Sequence, residues 1–238
     1  MNATIFFIFI ILIAAVLQTS TGFGFSIIST PFMLLIMEPR EAVQISLILS
    51  LVISFSLVGK VKKDVDKGIL KRFTVGSIVG LPIGMIIFLL LSVTWLKIGI
   101  GVLILLLTAL LILHVRIKQT SRRDVVIGGA SGALTSSIGM SGPPILLYFS
   151  GTNTTKEKLR GTTLIYYIFI CFMSLMTQMI VAGTTSKVWL LSALSLPLIV
   201  IGLFLGQYMF MRINQSLFRR LTYALLLFTG VNLLVQQL

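Results

Sequence analysis

"SIGMSGPPILLY", residues 137–148, sets two glycines, two serines and two adjacent prolines inside an otherwise apolar run. In a helix interior a proline costs about 3 kcal/mol and a glycine about 1 relative to alanine, so the stretch reads as a break. A second stretch, "TGFGFSIISTPFMLLIM" (21–37), repeats the pattern: glycines, hydroxyls, then a proline and an apolar tail. In both, Ser or Thr precedes Pro, as "STP" (29–31) and "SGP" (141–143). Hydroxyls favour the N-cap and proline the first helical position. Each therefore predicts the start of a short helix, "PFMLLIM" in one case and "PPILLYF" in the other.

The surroundings give these breaks their meaning. Of 238 residues, 57% are hydrophobic and 11% charged, with mean hydropathy +1.08. Such a chain lacks the polar residues to cover a soluble surface, and several runs reach the roughly 20 apolar residues that span a bilayer. The reading is an all-α polytopic membrane protein without a soluble domain. The net charge of +13 does not point to nucleic acid. The 19 Lys and Arg fall in short loops between apolar runs, as the positive-inside bias requires. The N-terminal "MNATIFFIFIILIAAVL" lacks a charged n-region and is expected to be retained. The single cysteine, Cys171, allows no internal disulfide and reads as a packing residue.

Six segments read as full spans: 43–59, 70–91, 95–114, 162–183, 188–211 and 217–236. The runs 3–37 and 124–150 do not. As one straight helix the first would be about 52 Å long, against a hydrocarbon core of about 30 Å. The chain also repeats itself: "REAVQISLI" (40–48) lies on "KEKLRGTTL" (156–164), "GLPIG" (80–84) on "GLFLG" (202–206), and Pro31 on Pro144. Two halves follow, 1–115 and 120–238, each one broken segment and three helices, eight membrane segments in all. If both broken segments crossed once, the basic residues would divide 11 to 8 between the two faces. If both return to their starting side, 16 lie inside, leaving Arg40, Lys97 and Lys187 outside. The positive-inside bias favours the second arrangement. It makes the halves inverted repeats, puts both termini outside, and sets Trp95 and Trp189 at the outer interface.

Irregular backbone is tolerated in a membrane only when buried in protein or lining a wet cavity. A helix start leaves free N–H groups and a partial positive charge, so two such starts near the midplane predict an anion site. Its candidate residues are Thr21, Gly22, Gly24, Ser26, Thr30 and Pro31 in the first half. In the second they are Ser136, Ser137, Gly139, Ser141, Gly142, Pro143 and Pro144. Thr19, Ser20 and Ser29 offer further hydroxyls. All six acids, Glu38, Glu41, Asp64, Asp66, Asp124 and Glu157, fall in loops or at segment ends, which disfavours a buried-acid proton relay. "EPRE" (38–41) and "TTKE" (154–157) read as capping boxes or variants of them, with a gating role for Glu41 and Glu157 as the alternative. Arg160, one turn into its segment, is read as snorkelling to lipid phosphate, with contact to an anion at the inner mouth as the alternative. Glycines at 76, 80 and 84, and at 202 and 206, read as helix-packing faces. Gln178 and Gln207 read as interhelical or pathway residues.

"GMSG" (139–142) fits a G-x-S-G nucleophile pattern, but Ser141 would need a base. The single histidine, His114, precedes it in sequence and ends a span about 15 Å from the midplane. No zinc-protease or P-loop motif occurs, so neither metal, catalytic residue nor cofactor is expected. Instead "TGFGFSIISTPFMLL" (21–35) and "SGALTSSIGMSGPPILLY" (131–148), with the two four-segment halves, make the whole chain resemble the sulfite exporter TauE/SafE family. The resemblance implies a secondary permease of the cell membrane, exporting small anions such as sulfite, sulfoacetate or other organosulfonates. It places the family's glycines and proline on Gly22, Gly24 and Pro31, and on Gly139, Gly142 and Pro144. Where many members carry a denser glycine run, this chain has Phe23, Phe25 and Ser26, then Met140, Ser141 and Pro143. The partners expected are a small anion and membrane lipid, not nucleic acid, with homo-oligomers allowed. The alternative readings are a non-transporting scaffold or assembly factor, and an intramembrane serine hydrolase.

Overall fold

In the computed structural model, the described residues are 3–34, 36–90, 119–152 and 154–212, with isolated positions between 94 and 109 and between 214 and 235. Among them the secondary structure is helical throughout, without strands. The elements are α1 (Ala3–Thr21), α2 (Phe25–Met33), α3 (Pro39–Val61), α4 (Lys67–Leu90) and α5 (Ser121–Ile138). They continue with α6 (Gly142–Gly151), α7 (Lys156–Ala182), α8 (Ser186–Leu194) and α9 (Leu196–Arg212). Of these, α1, α3, α4 and α7 are each long and apolar enough to cross a membrane. The expected spans over 95–114 and 217–236 lie largely outside the described residues.

The two expected breaks are present, at 22–24 and 139–141. At the first, Gly22 (φ 86°) and Gly24 (φ 109°) adopt left-handed backbone that a β-carbon disfavours. The Phe23 N–H leaves the helical ladder for Thr21 Oγ1 at 3.2 Å. The helix restarts at once, at Phe25, so Pro31 lies in the last turns of α2 rather than at its start. This corrects the reading of "STP" as a helix opening: a proline far from the first turn terminates the helix it sits in. At the second break Gly139 is the left-handed C-cap of α5, and α6 begins with prolines in its first turn, as "SGPP" predicts.

Both broken segments double back. The rings of Phe6 and Phe32 lie 6.1 Å apart, whereas 26 residues of straight helix would separate them by about 39 Å. In the second segment, a β-carbon on Gly128 in α5 would meet the Phe73 backbone. The same Phe73 ring lies 5.8 Å from Phe149 at the far end of α6. The Tyr148 hydroxyl likewise faces the Asp124 carboxylate near the start of α5.

Glycine seams lock these segments in place. β-Carbons built on Gly76, Gly80 and Gly84 of α4 would overlap the carbonyls of Val125, Gly129 and Ala133 on α5. The register rises together, so the two helices run parallel with their backbones in contact. On the other side Gly202 and Gly206 of α9 meet Ala15 and Thr19 of α1 in the same parallel sense. The glycine helix following α3 thus holds the second broken segment, and the one following α7 holds the first.

The expected single span over 188–211 is two helices bent by 43°. Pro197 lacks the N–H that would continue the ladder, and its ring crowds the preceding turn. The Ser195 hydroxyl donates to Leu191 O at 2.7 Å at this bend. Two buried apolar clusters form the core. One gathers Phe23, Ile27, Phe73, Ile145, Tyr166 and Tyr167; the other gathers Ile11, Phe25, Ile45, Ile53 and Leu164. Each draws on both halves of the chain. The outward faces are apolar too, with Val75, Ile78, Val79 and Ile86 exposed on α4 and Val200, Ile201 and Phe204 on α9. Such a surface suits lipid rather than water.

Candidate functional site

The chain carries its polar groups inward. Around the first break Gln18, Thr19, Ser20, Thr21, Ser26, Ser29 and Thr30 are all buried, and around the second so are Ser131, Thr135, Ser136, Ser137 and Ser141. Most hydroxyls are already committed. Ser20 donates to Leu17 O at 3.1 Å. Thr21 Oγ1 sits against the carbonyls of Leu17 and Phe23, spanning the break. Ser29 and Thr30 pair with Ser46 of α3 at 2.8 and 3.1 Å. Ser136 donates across the glycine seam to Leu81 O at 2.8 Å, and Ser137 to Ala133 O at 2.7 Å. These hydroxyls set the helices rather than stand free.

Free backbone donors remain at the first of the two helix starts. Gly24 caps α2 without a side chain, and the first intrahelical bond is Ile28 N–H to Gly24 O at 3.2 Å. The N–H groups of Phe25, Ser26 and Ile27 therefore have no partner among the described residues, although all three residues are buried. The α6 start differs. Pro143 and Pro144 remove two of its early donors, and the Ser141 side chain makes no capping bond. The paired helix starts are thus unequal, with the backbone donors mainly on α2.

The breaks meet. A β-carbon on Gly142 would stand 2.9 Å from Ile27 Cδ1 and 3.1 Å from Tyr167 Oη, so α6's first residue, α2's first turn and α7 share one point. Gly139 packs against Val43 of α3. The Tyr167 hydroxyl is buried without a hydrogen bond; the Ser141 hydroxyl is close but closes none. Thr163 Oγ1 and Thr19 Oγ1 are buried and unbonded as well. Ser141 therefore neighbours a tyrosine, not a base, and His114 lies outside the described residues.

Arg160 departs from its snorkelling reading. It is 3% exposed and lies against the first break: a β-carbon on Gly22 would be 2.7 Å from its Cα. Its Nε donates to Thr19 O at 2.7 Å, taking the carbonyl that the break releases. Its Nη2 donates to Gln207 Oε1 at 2.7 Å, and its guanidinium lies 4.2 Å above the Phe210 ring. Its hydrogen-bond partners are thus neutral, and Asp64 acts on it only at longer range. The sequence held one clue: polar residues 160, 163 and 167 recur at i, i+3 and i+7 on one helix face.

Ion pairs close the two ends of the packed α3–α7 pair. At one end Lys187 Nζ donates to Glu41 Oε2 at 2.6 Å, and Gln44 Nε2 donates to Gly183 O at 2.8 Å. Glu41 therefore reaches across 146 residues instead of completing a capping box; the "TTKE" helix is capped by Thr155, which accepts from Lys158 N–H. At the other end Lys158 meets Asp66 at 2.9 Å, and Arg72 meets Asp124 at 2.6 Å. Burial alone raises the Asp66 carboxyl, but the Ile69 N–H and the Lys158 ammonium outweigh it and hold it below the usual carboxylate range. No cluster of metal-ligating side chains occurs among the described residues.

Long apolar helices with apolar outward faces define a multi-pass membrane protein. The family model described as sulfite exporter TauE/SafE matches residues 7–233, and the chain belongs to that family. Searches of curated proteins and of solved structures returned no match.

Proposed function

We propose that the protein is a secondary exporter of small sulfur-containing anions, sulfite or organosulfonates, in the cell membrane. The substrate binds where the two helix breaks meet, and relative motion of the halves alternates access. The observation that carries this reading is the contact of Ile27, Gly142 and Tyr167, beside three unpartnered N–H groups on α2. Free N–H groups at a buried helix start favour an anion. Of the predicted residues, Thr21, Gly22, Gly24 and Ser26 line one side and Gly139, Ser141, Gly142, Pro143 and Pro144 the other; Thr30, Pro31, Ser136 and Ser137 serve as the packing behind them.

The halves 1–115 and 120–238 are read as inverted repeats whose broken segments are re-entrant from opposite faces. The ion pairs favour this arrangement. Had each broken segment crossed once, the Glu41–Lys187 and Asp66–Lys158 pairs would each have to close across the bilayer. The parallel glycine seams and the Phe6–Phe32 contact also support it. The test is efflux of labelled sulfite from proteoliposomes holding the full chain. Saturable, protein-dependent flux is expected. Its absence for sulfite and for a panel of sulfonates returns the protein to the scaffold reading.

A further inference from the structure

We infer that one face of α7, formed by Arg160, Thr163 and Tyr167, supplies the side-chain donors of this anion site. The inference rests on the proposed site and assigns residues to it that the helix breaks alone do not. Seven residues of helix separate Arg160 from Tyr167, about 10 Å, and residue 163 lies between them on the same side. The stripe starts at the first break, where Arg160 packs on Gly22, and ends at the second, where Tyr167 Oη approaches Gly142. It therefore runs from break to break.

Its chemistry suits an anion. Thr163 and Tyr167 are 0% and 1% exposed, and neither hydroxyl has a hydrogen bond. A buried hydroxyl is ordinarily satisfied by protein or water, so two on one stripe beside the breaks can each donate to a bound anion. A helical threonine commonly turns its hydroxyl onto a preceding carbonyl; Thr163 does not. Arg160 supplies full charge, and an intramembrane cation whose partners are neutral is by default a functional group. Its Nε and Nη2 hold Thr19 and Gln207, leaving three of five guanidinium N–H groups uncommitted to those bonds. With the α2 N–H groups the set is rich in donors and poor in acceptors. That suits a compact anion with several oxygens on one centre, such as sulfite or a sulfonate headgroup.

The test uses the full-length protein, with sulfite as probe, in two measurements: flux in proteoliposomes, and thermal unfolding in detergent without anion. Tyr167→Phe and Thr163→Val each remove one hydroxyl and little volume. Each is expected to raise the KM for sulfite about tenfold, the effect of one hydrogen bond. Unfolding temperature should stay level or rise, because an unsatisfied buried hydroxyl has gone. A purely structural hydroxyl gives the opposite pattern, a lower unfolding temperature with KM unchanged, and that overturns the assignment. Wild-type flux with both variants' KM within twofold of wild type overturns it too, while the transport reading stands. A wild type that neither binds nor moves sulfite overturns both. Arg160 also ties α1 to α9, so the two hydroxyl variants carry the decision.

Discussion

Asp66 shows how much a single loop carboxylate can hold. It accepts from Ile69 N–H at 3.0 Å, receives Lys158 at 2.9 Å, and its own N–H donates to Thr162 at 2.9 Å. Its pKa is lowered in the fold, so the stabilisation it gives is fully present above its unfolded value, about 3.9. It is lost as pH falls through the lower folded value. Asp66→Asn should therefore lower the unfolding temperature at pH 7, and the two proteins should converge as pH drops below about 4. Thermal scans at stepped pH check this; a constant gap would show that the carboxylate's charge is irrelevant. Legibility at this scale was limited. A charged residue one turn into a span was visible at Arg160, but its burial depends on Gln207 and Phe210, some 50 residues later. Glu41 read as a local cap because its true partner, Lys187, lies 146 residues away.

The elements were more legible where chemistry is local. Two prolines after "SG" announce a helix start, and α6 begins there. One proline after "ST" suggests the same, yet the left-handed Gly24 restarts the chain six residues earlier. The bend at Ser195 had its signal in Pro197, hidden inside a run long enough to span. The glycine spacing was decisive for packing, although it does not say which helix answers it. The seam gives a direct prediction. In Gly80→Val the added β-carbon would overlap the Gly129 carbonyl, which is backbone and cannot swing aside. The cost should be at least about 1–3 kcal/mol, seen as loss of monodisperse protein on gel filtration. Gly59→Val, whose β-carbon meets nothing within 4 Å, should elute as wild type.

For the molecule as a whole, what matters is that the ion pairs sit at both ends of the α3–α7 pair at once. In the proposed exporter, alternating access requires one end to open while the other stays shut. Glu41→Lys should place two cations together and reduce sulfite efflux several-fold. Adding Lys187→Glu should restore it, because the pair is then reversed rather than removed. Failure of the double variant to recover would mean that 41 and 187 do not share a face. The seams have a different consequence, in the order of synthesis. α4 finds its partner α5 about 50 residues on. Ala15 must wait for Gly202, 187 residues later, which at ribosomal speed is roughly 10–40 s. During that interval the Thr19 carbonyl lacks the Arg160 that takes it in the finished fold, and Arg160 in turn lacks Gln207. The α1–α2 hairpin is thus made long before the residues that finish it, so its completion waits on the second half of the chain.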